Sequence, residues 1–160
     1  MRSFFICCSL IALLISCSAS QNNSLKITGV ELLDYGLLNY KLEERVSQET
    51  TATGKYTVSQ GVEFYEKTTN ILAKKGNAFG IKYLVQGNPT GENVDFTFKV
   101  LHPPINGETS SYAKVKGIIG SWRADFYTFN EDYELVEGEW VLQVYHQDNL
   151  LYEKAFLVHK

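Results

Sequence analysis

The residues of this chain with chemistry to offer are three histidines, a run of carboxylates and three cysteines. His102, His146 and His159 carry imidazoles that suit zinc or copper. No pair of them has the i, i+4 spacing of a helical ligand pair, and no cysteine lies near them in the sequence to complete a site. The carboxylates Glu131, Asp132, Glu134, Glu137 and Glu139 supply the hard oxygens that calcium takes, but they lack the alternating Asp/Asn and glycine spacing of a calcium loop. They read instead as turn chemistry: Asn130-Glu131-Asp132 makes a turn between sheets, Tyr133 or Leu135 plugs the core, and Gly138 allows a tight approach to Trp140. No G-x-S-x-G elbow surrounds Gly120-Ser121-Trp122, and neither a P-loop nor a dinucleotide fingerprint is present. Nothing selects a pair of carboxylates for glycoside hydrolysis. The expectation is a protein with no catalytic residues, no metal site and no cofactor.

The cysteines carry the remaining chemistry. Cys7 and Cys8 lie within an apolar run, Phe4 to Ile15, broken only by Ser9 and preceded by Arg2, which is the layout of a secretory signal peptide over residues 1–20. They would be discarded with it. Leu14-Ile15-Ser16-Cys17 resembles a bacterial lipobox, where cleavage precedes a cysteine already bearing a diacylglyceryl group on its sulfur. Cys17 is therefore the expected lipidation site, and the membrane the expected partner through that lipid. Each buried methylene contributes about 0.8 kcal/mol, so two or more acyl chains anchor stably where one binds marginally. Ser18, rather than Asp, follows the cysteine, which in a Gram-negative cell resembles sorting to the outer membrane, facing the periplasm. The alternative is cleavage after Ser20 at the small-x-small sequence Ser18-Ala19-Ser20, giving a soluble periplasmic or secreted product. The apolar run is too short for a membrane span, which needs about 20 residues. Asn22-x-Ser24 matches a glycosylation sequon that a bacterial envelope makes incidental.

Residues 21–160 form the expected single domain. Without Arg2, 14 basic residues face 18 acidic ones, a net of −4, which offers nucleic acid no electrostatic footprint. Apolar positions recur with period two: Phe79, Ile81, Tyr83 and Val85, then Val94, Phe96, Phe98 and Val100. Gly87-Asn88-Pro89-Thr90-Gly91 lies between these two strands, which read as an antiparallel hairpin. Leu25–Leu33, Leu37–Val46 and Lys55–Tyr65 read as further strands, with 47–54 a polar connector. At the C-terminus, a two-residue turn Asp148-Asn149 would set Trp140 opposite Leu157, whereas the preferred three-residue turn Gln147–Asn149, with Asn149 left-handed, sets Trp140 opposite Phe156 and Val144 opposite Tyr152. It also sets Lys154 beside Leu142. About eight short strands without helix predict an all-β protein, an immunoglobulin-like sandwich of two antiparallel sheets.

Gly61-Val62-Glu63-Phe64, the run from Ile71 to Phe79-Gly80, His102-Pro103-Pro104 and the stretch Phe129-Asn130-Glu131-Asp132-Tyr133-Glu134-Leu135-Val136-Glu137-Gly138-Glu139-Trp140 together resemble a bacterial family, domain of unknown function 3859. Tyr133 stands where that family commonly has Trp, and Glu137 where it has Pro. The resemblance implies an immunoglobulin-like sandwich in the cell envelope and no established activity.

Aromatic side chains are the remaining lead. Tyr35, Tyr40, Tyr112, Trp122, Tyr127 and Tyr145 do not all fit the inward alternation, and exposed aromatics stack sugars or anchor protein partners. Trp122, Tyr127 and Tyr112 are the candidate binding residues, Trp122 foremost because Gly117–Gly120 leads into it as an edge strand or loop. The expected role is a non-enzymatic interaction or structural module of the envelope, with carbohydrate binding as the alternative and an enzyme third.

Overall fold

The computed structural model describes residues 24–51 and 54–160, side chains 43, 45, 46 and 56–58 apart; the expected signal peptide and the expected lipidation site Cys17 lie outside the described residues. Among the described residues nine strands fold into two sheets: β1 (Lys26–Ser47), β2 (Lys55–Glu66), β3 (Asn70–Leu72), β4 (Ala78–Asn88), β5 (Asn93–Ile105), β6 (Glu108–Ile118), β7 (Trp122–Thr128), β8 (Gly138–His146) and β9 (Asn149–His159). The sheets run β2-β1-β4-β7 and β3-β9-β8-β5-β6. Pairing is antiparallel except at one edge, where the three-residue β3 lies parallel to β9. A single 3₁₀ turn, Asp132–Glu134, is the helical content among the described residues, and none of their helices is long and apolar enough to cross a membrane.

The core is built as period-two alternation requires. Phe79, Ile81, Tyr83 and Val85 of β4 face Val94, Phe96, Phe98 and Val100 of β5 across the sandwich, all buried. Phe79 is the hub of an aromatic cluster, its ring 5.1 Å from Phe156, 5.6 Å from Phe129 and 6.0 Å from Trp140. Edge-on contacts of this kind add about 0.5–1.5 kcal/mol each to area burial.

Several readings of the sequence change. β4 and β5 do not form a hairpin: β4 pairs with β1 and β7, β5 with β6 and β8, and residues 89–92 carry the chain from one sheet to the other. Alternation gives each strand an inward face but cannot say whether the next strand lies beside it or opposite. The segments 25–33 and 37–46 are one strand of 22 residues, whose first half pairs with β4 and whose second half pairs with β2. Between them Gly36, at φ +126, lets the backbone of Glu66 and Thr68 pass where a Cβ would collide. His102-Pro103-Pro104 lies in β5 at a register shift, where proline's missing donor is tolerated, and the turn that follows comes at Asn106-Gly107, both at positive φ.

The β8–β9 register is the expected one, Trp140 opposite Phe156 and Val144 opposite Tyr152. The turn is shorter than expected. It spans Gln147-Asp148, Gln147 takes φ +55, and the extra residue is Leu151, bulged out of β9.

A cleft between two edge strands

β6 and β7 are the edges of the two sheets on the same flank of the sandwich, and they do not pair with each other. One bond ties them directly, and the β1–β2 hairpin ties β6 alone at the other end. The Arg123 guanidinium donates to the Lys116 carbonyl at 2.5 Å. At the other end the tip of the β1–β2 hairpin reaches across from the opposite sheet: the Thr50 carbonyl accepts from the Tyr112 N–H at 2.9 Å, and the Thr50 hydroxyl donates to the Tyr112 carbonyl at 2.7 Å. Between these ties lies a cavity of about 660 Å³, within the 300–1,000 Å³ range of ligand pockets. Phe98, Val100, Ala113 and Val115 form its apolar floor, and Thr51, Lys55 and Ser59–Val62 of the hairpin line another side.

The wall supplied by β7 inverts the usual alternation. Arg123, Asp125 and Tyr127 share the face on which Tyr127 packs against Phe79 and Asp125 meets Tyr83 of the core, while Ala124 and Phe126 take the other face. Asp125 is buried and fully engaged. It accepts from the Tyr83 hydroxyl at 2.6 Å and from Arg123 Nε and Nη2 at 2.9 and 2.6 Å. Such charge-assisted bonds offset the desolvation that burying a carboxylate costs. Burial first, then the neighbouring Asp125 charge, pushes the Tyr83 phenol far above its ordinary range, with Arg123 partly opposing, so the hydroxyl stays a donor.

Glu134 repeats the arrangement at the end of the wall. Neither Tyr133 nor Leu135 plugs this corner as expected; Tyr133 is exposed and Leu135 only packs at the core's margin, while Glu134 is wholly buried. Its carboxylate accepts from the N–H groups of Asn130 at 2.8 Å and Glu131 at 2.7 Å and from the Tyr127 hydroxyl. From the third position of the 3₁₀ turn it reaches back to the turn's start, as a capping glutamate does. Burial and the hydrogen bond to Glu134 hold the Tyr127 phenol far above its usual value.

All three sequence-nominated aromatics line this cavity. They do not form one platform. Trp122 begins β7, is about half exposed and carries the Lys82 ammonium 4.2 Å from its ring centroid. Tyr112 lies exposed on β6, the other sheet's edge, whereas Tyr127 is no exposed aromatic but half-buried, 4.9 Å from Trp140. Tyr40 rests on Phe126 at 4.8 Å, Tyr35 meets the Lys154 ammonium, and Tyr145 donates to Gln143.

The histidines are scattered. His102 is buried 5.2 Å from Trp140 with Nδ1 on the Pro103 carbonyl, His146 Nδ1 meets the Asp95 carbonyl, and His159 is exposed beside the C-terminus. The acidic run disperses too, Glu131 to Lys75 and Glu137 to the Lys160 N–H. Among the described residues no group of three His, Cys, Asp or Glu is placed to hold a metal ion.

Sequence reasoning missed Arg123, Asp125 and Glu134. The spacing Arg123-x-Asp125-x-Tyr127 was the available signal, but period two alone reads polar positions as solvent-facing.

Two stacked sheets with a crossing between them, closed at one flank and cleft at the other, define an immunoglobulin-like sandwich. The chain belongs to the family Domain of unknown function (DUF3859), whose sequence pattern matches residues 26–158. It is similar to an immunoglobulin-like protein from Pseudomonas aeruginosa of known crystal structure, with 25% identity and a TM-score of 0.54, covering 84% of this chain and 96% of that one. No curated protein matches it.

Proposed function

We propose that this protein is a non-enzymatic binding module of the cell envelope, exported by residues 1–20, held to the membrane by lipid on Cys17, and taking its ligand in the β6/β7 cleft. The observation that carries the reading is the cleft itself, an apolar-floored cavity of about 660 Å³ between two edge strands, bounded by the Arg123–Lys116 bond at one end and by the hairpin contact of Thr50 with Tyr112 at the other. The two carboxylates in its wall support binding over turnover. Asp125 and Glu134 are each saturated by fixed internal donors and have no lone pair committed to a reacting proton. The aromatic placement favours a ligand held in the cleft over a sugar stacked on a flat row, because Tyr112 and Trp122 belong to different sheets.

The test is retention from native envelopes by a tagged full-length chain, compared with an Ala113→Phe variant whose added ring fills the cleft. Matched thermal unfolding of the two proteins controls for folding. The reading expects a component retained by the native chain and lost from the variant; equal retention by both, or hydrolysis of an envelope substrate abolished by one substitution, overturns it. Lipid anchoring is tested separately. The N-terminal tryptic peptide is expected to begin at Cys17 with acyl mass, and a peptide beginning at unmodified Gln21 contradicts it.

A further inference from the structure

Backbone direction in the two edge strands specifies the ligand's chemistry. In β6 the odd residues bond to β5, as the Ile119 N–H to Glu92 carbonyl contact fixes, so Tyr112, Lys114 and Lys116 turn their peptide groups to the free edge. Thr50 takes those of Tyr112, and Arg123 takes the Lys116 carbonyl. The N–H and C=O of Lys114, midway between the ties, have no partner among the described residues. In β7 the odd residues bond to β4, as Val85 to Ser121 and Phe129 to Asn77 show, which leaves the N–H and C=O of Ala124 and Phe126 at the free edge. The Thr128 hydroxyl, on the same lining, is buried without a partner.

We propose that the cleft binds an extended acidic peptide segment of about four residues, added as a strand to the free edge of β6 at Lys114. This rests on the cleft reading above and names its ligand class. Unpaired edge groups are what an added strand satisfies, with alternate side chains entering pockets. The length follows from strand geometry: Tyr112 to Lys116 spans about 13 Å at about 3.3 Å per residue. The charge follows from the lining. Lys114 and Lys116 have no ion-pair partner among the described residues, whereas Arg123 and Asp125 neutralise each other and Glu134 is held by internal donors. This is a cationic rim on a domain of net −4, complementary to carboxylates.

The test is amide chemical-shift mapping on the isotopically labelled full-length chain. The probe is the tetrapeptide acetyl-Glu-Val-Glu-Val-amide, set against its Lys-Val-Lys-Val counterpart, two forms N-methylated at alternate backbone nitrogens, and an N-acetylglucosamine oligomer. The acidic peptide is expected to shift the Lys114 amide and its neighbours. One N-methylated form but not the other weakens binding by about tenfold, the size of one net hydrogen bond, and Lys114→Glu weakens it further while leaving the unliganded spectrum folded. Binding that is indifferent to N-methylation, equal for the basic peptide, or mapped away from β6 overturns the proposal. Shifts at these amides from the glycan oligomer alone overturn the peptide while leaving the cleft as the binding site; no response to any probe overturns the peptide too, and the retention experiment then decides the cleft independently.

Discussion

Along one flank of the sandwich β1 and β9 meet through Lys154, which points inward and lays its ammonium 3.9 Å from the centroid of the Tyr35 ring; along the other, β6 and β7 stand apart around a cavity of about 660 Å³. Both flanks place charged side chains between the sheets, and they do so for opposite results. At the β1/β9 seam the long lysine stem covers apolar surface and its head ends on an aromatic face, which seals the gap without a buried carboxylate. At the β6/β7 seam Asp125 is held within its own sheet, Glu134 within its turn, and Arg123 spans from Asp125 to the Lys116 carbonyl at one end, while the space beside them stays unfilled. Arg123, Asp125, Tyr83, Tyr127 and Glu134 form a frame rather than a plug. A sheet edge is ordinarily protected by inward-pointing charge, and here that same device leaves room for a ligand.

The sharpest way to break the comparison is to remove one member of the frame. Asp125→Ala removes the buried carboxylate that the Arg123 guanidinium and the Tyr83 hydroxyl share, and a loss of about 3–5 kcal/mol in urea unfolding is expected. Glu134→Gln keeps the shape but replaces the charged acceptor of three hydrogen bonds with a neutral amide, for about 1.5–3 kcal/mol by the same assay. A loss below 1 kcal/mol in either would mean that the frame is decoration.

Alkaline titration separates the seams by another route. The Tyr83 and Tyr127 phenols are raised in the fold, so folded and unfolded forms bind the proton alike below the ordinary tyrosine value near 10, and above it the unfolded chain releases protons that the fold retains. Stability is therefore complete at neutral pH and falls as pH rises past about 10, by up to about 1.4 kcal/mol per pH unit for each phenol. Phenolate absorbance from these two residues should appear together with unfolding, and each Tyr→Phe replacement should shallow the fall. The smallest effect belongs to the sealed seam: Lys154→Met is expected to cost about 0.5–1 kcal/mol and to leave ligand retention unchanged.

Much of this architecture is written locally. The inward faces of β4 and β5 and the Trp140–Phe156 pairing follow from period two and turn length, and Lys154 beside Leu142, an anomaly in the sequence, is the lysine that seals the β1/β9 seam. What lies beyond local reading depends on which strands meet across space. The glycine-rich turn after β4 suits a hairpin and a sheet-to-sheet crossing equally. The polarity of Arg123, Asp125 and Tyr127 points outward by pattern and inward in the fold, because Tyr83 and the 3₁₀ turn, distant in sequence, supply their partners. Trp122, Tyr127 and Tyr112 could be nominated as aromatics in excess of the core pattern, but that they border one cavity follows from β6 and β7 being edges on the same flank.

The most direct test places a photoreactive benzoylphenylalanine at position 114, beside the cleft, and separately at position 154, in the sealed seam, in the full-length protein in its native cells. A crosslinked product from position 114 and none from position 154 is the predicted result; equal products from both positions, or product from position 154 alone, would contradict the cleft as the binding site.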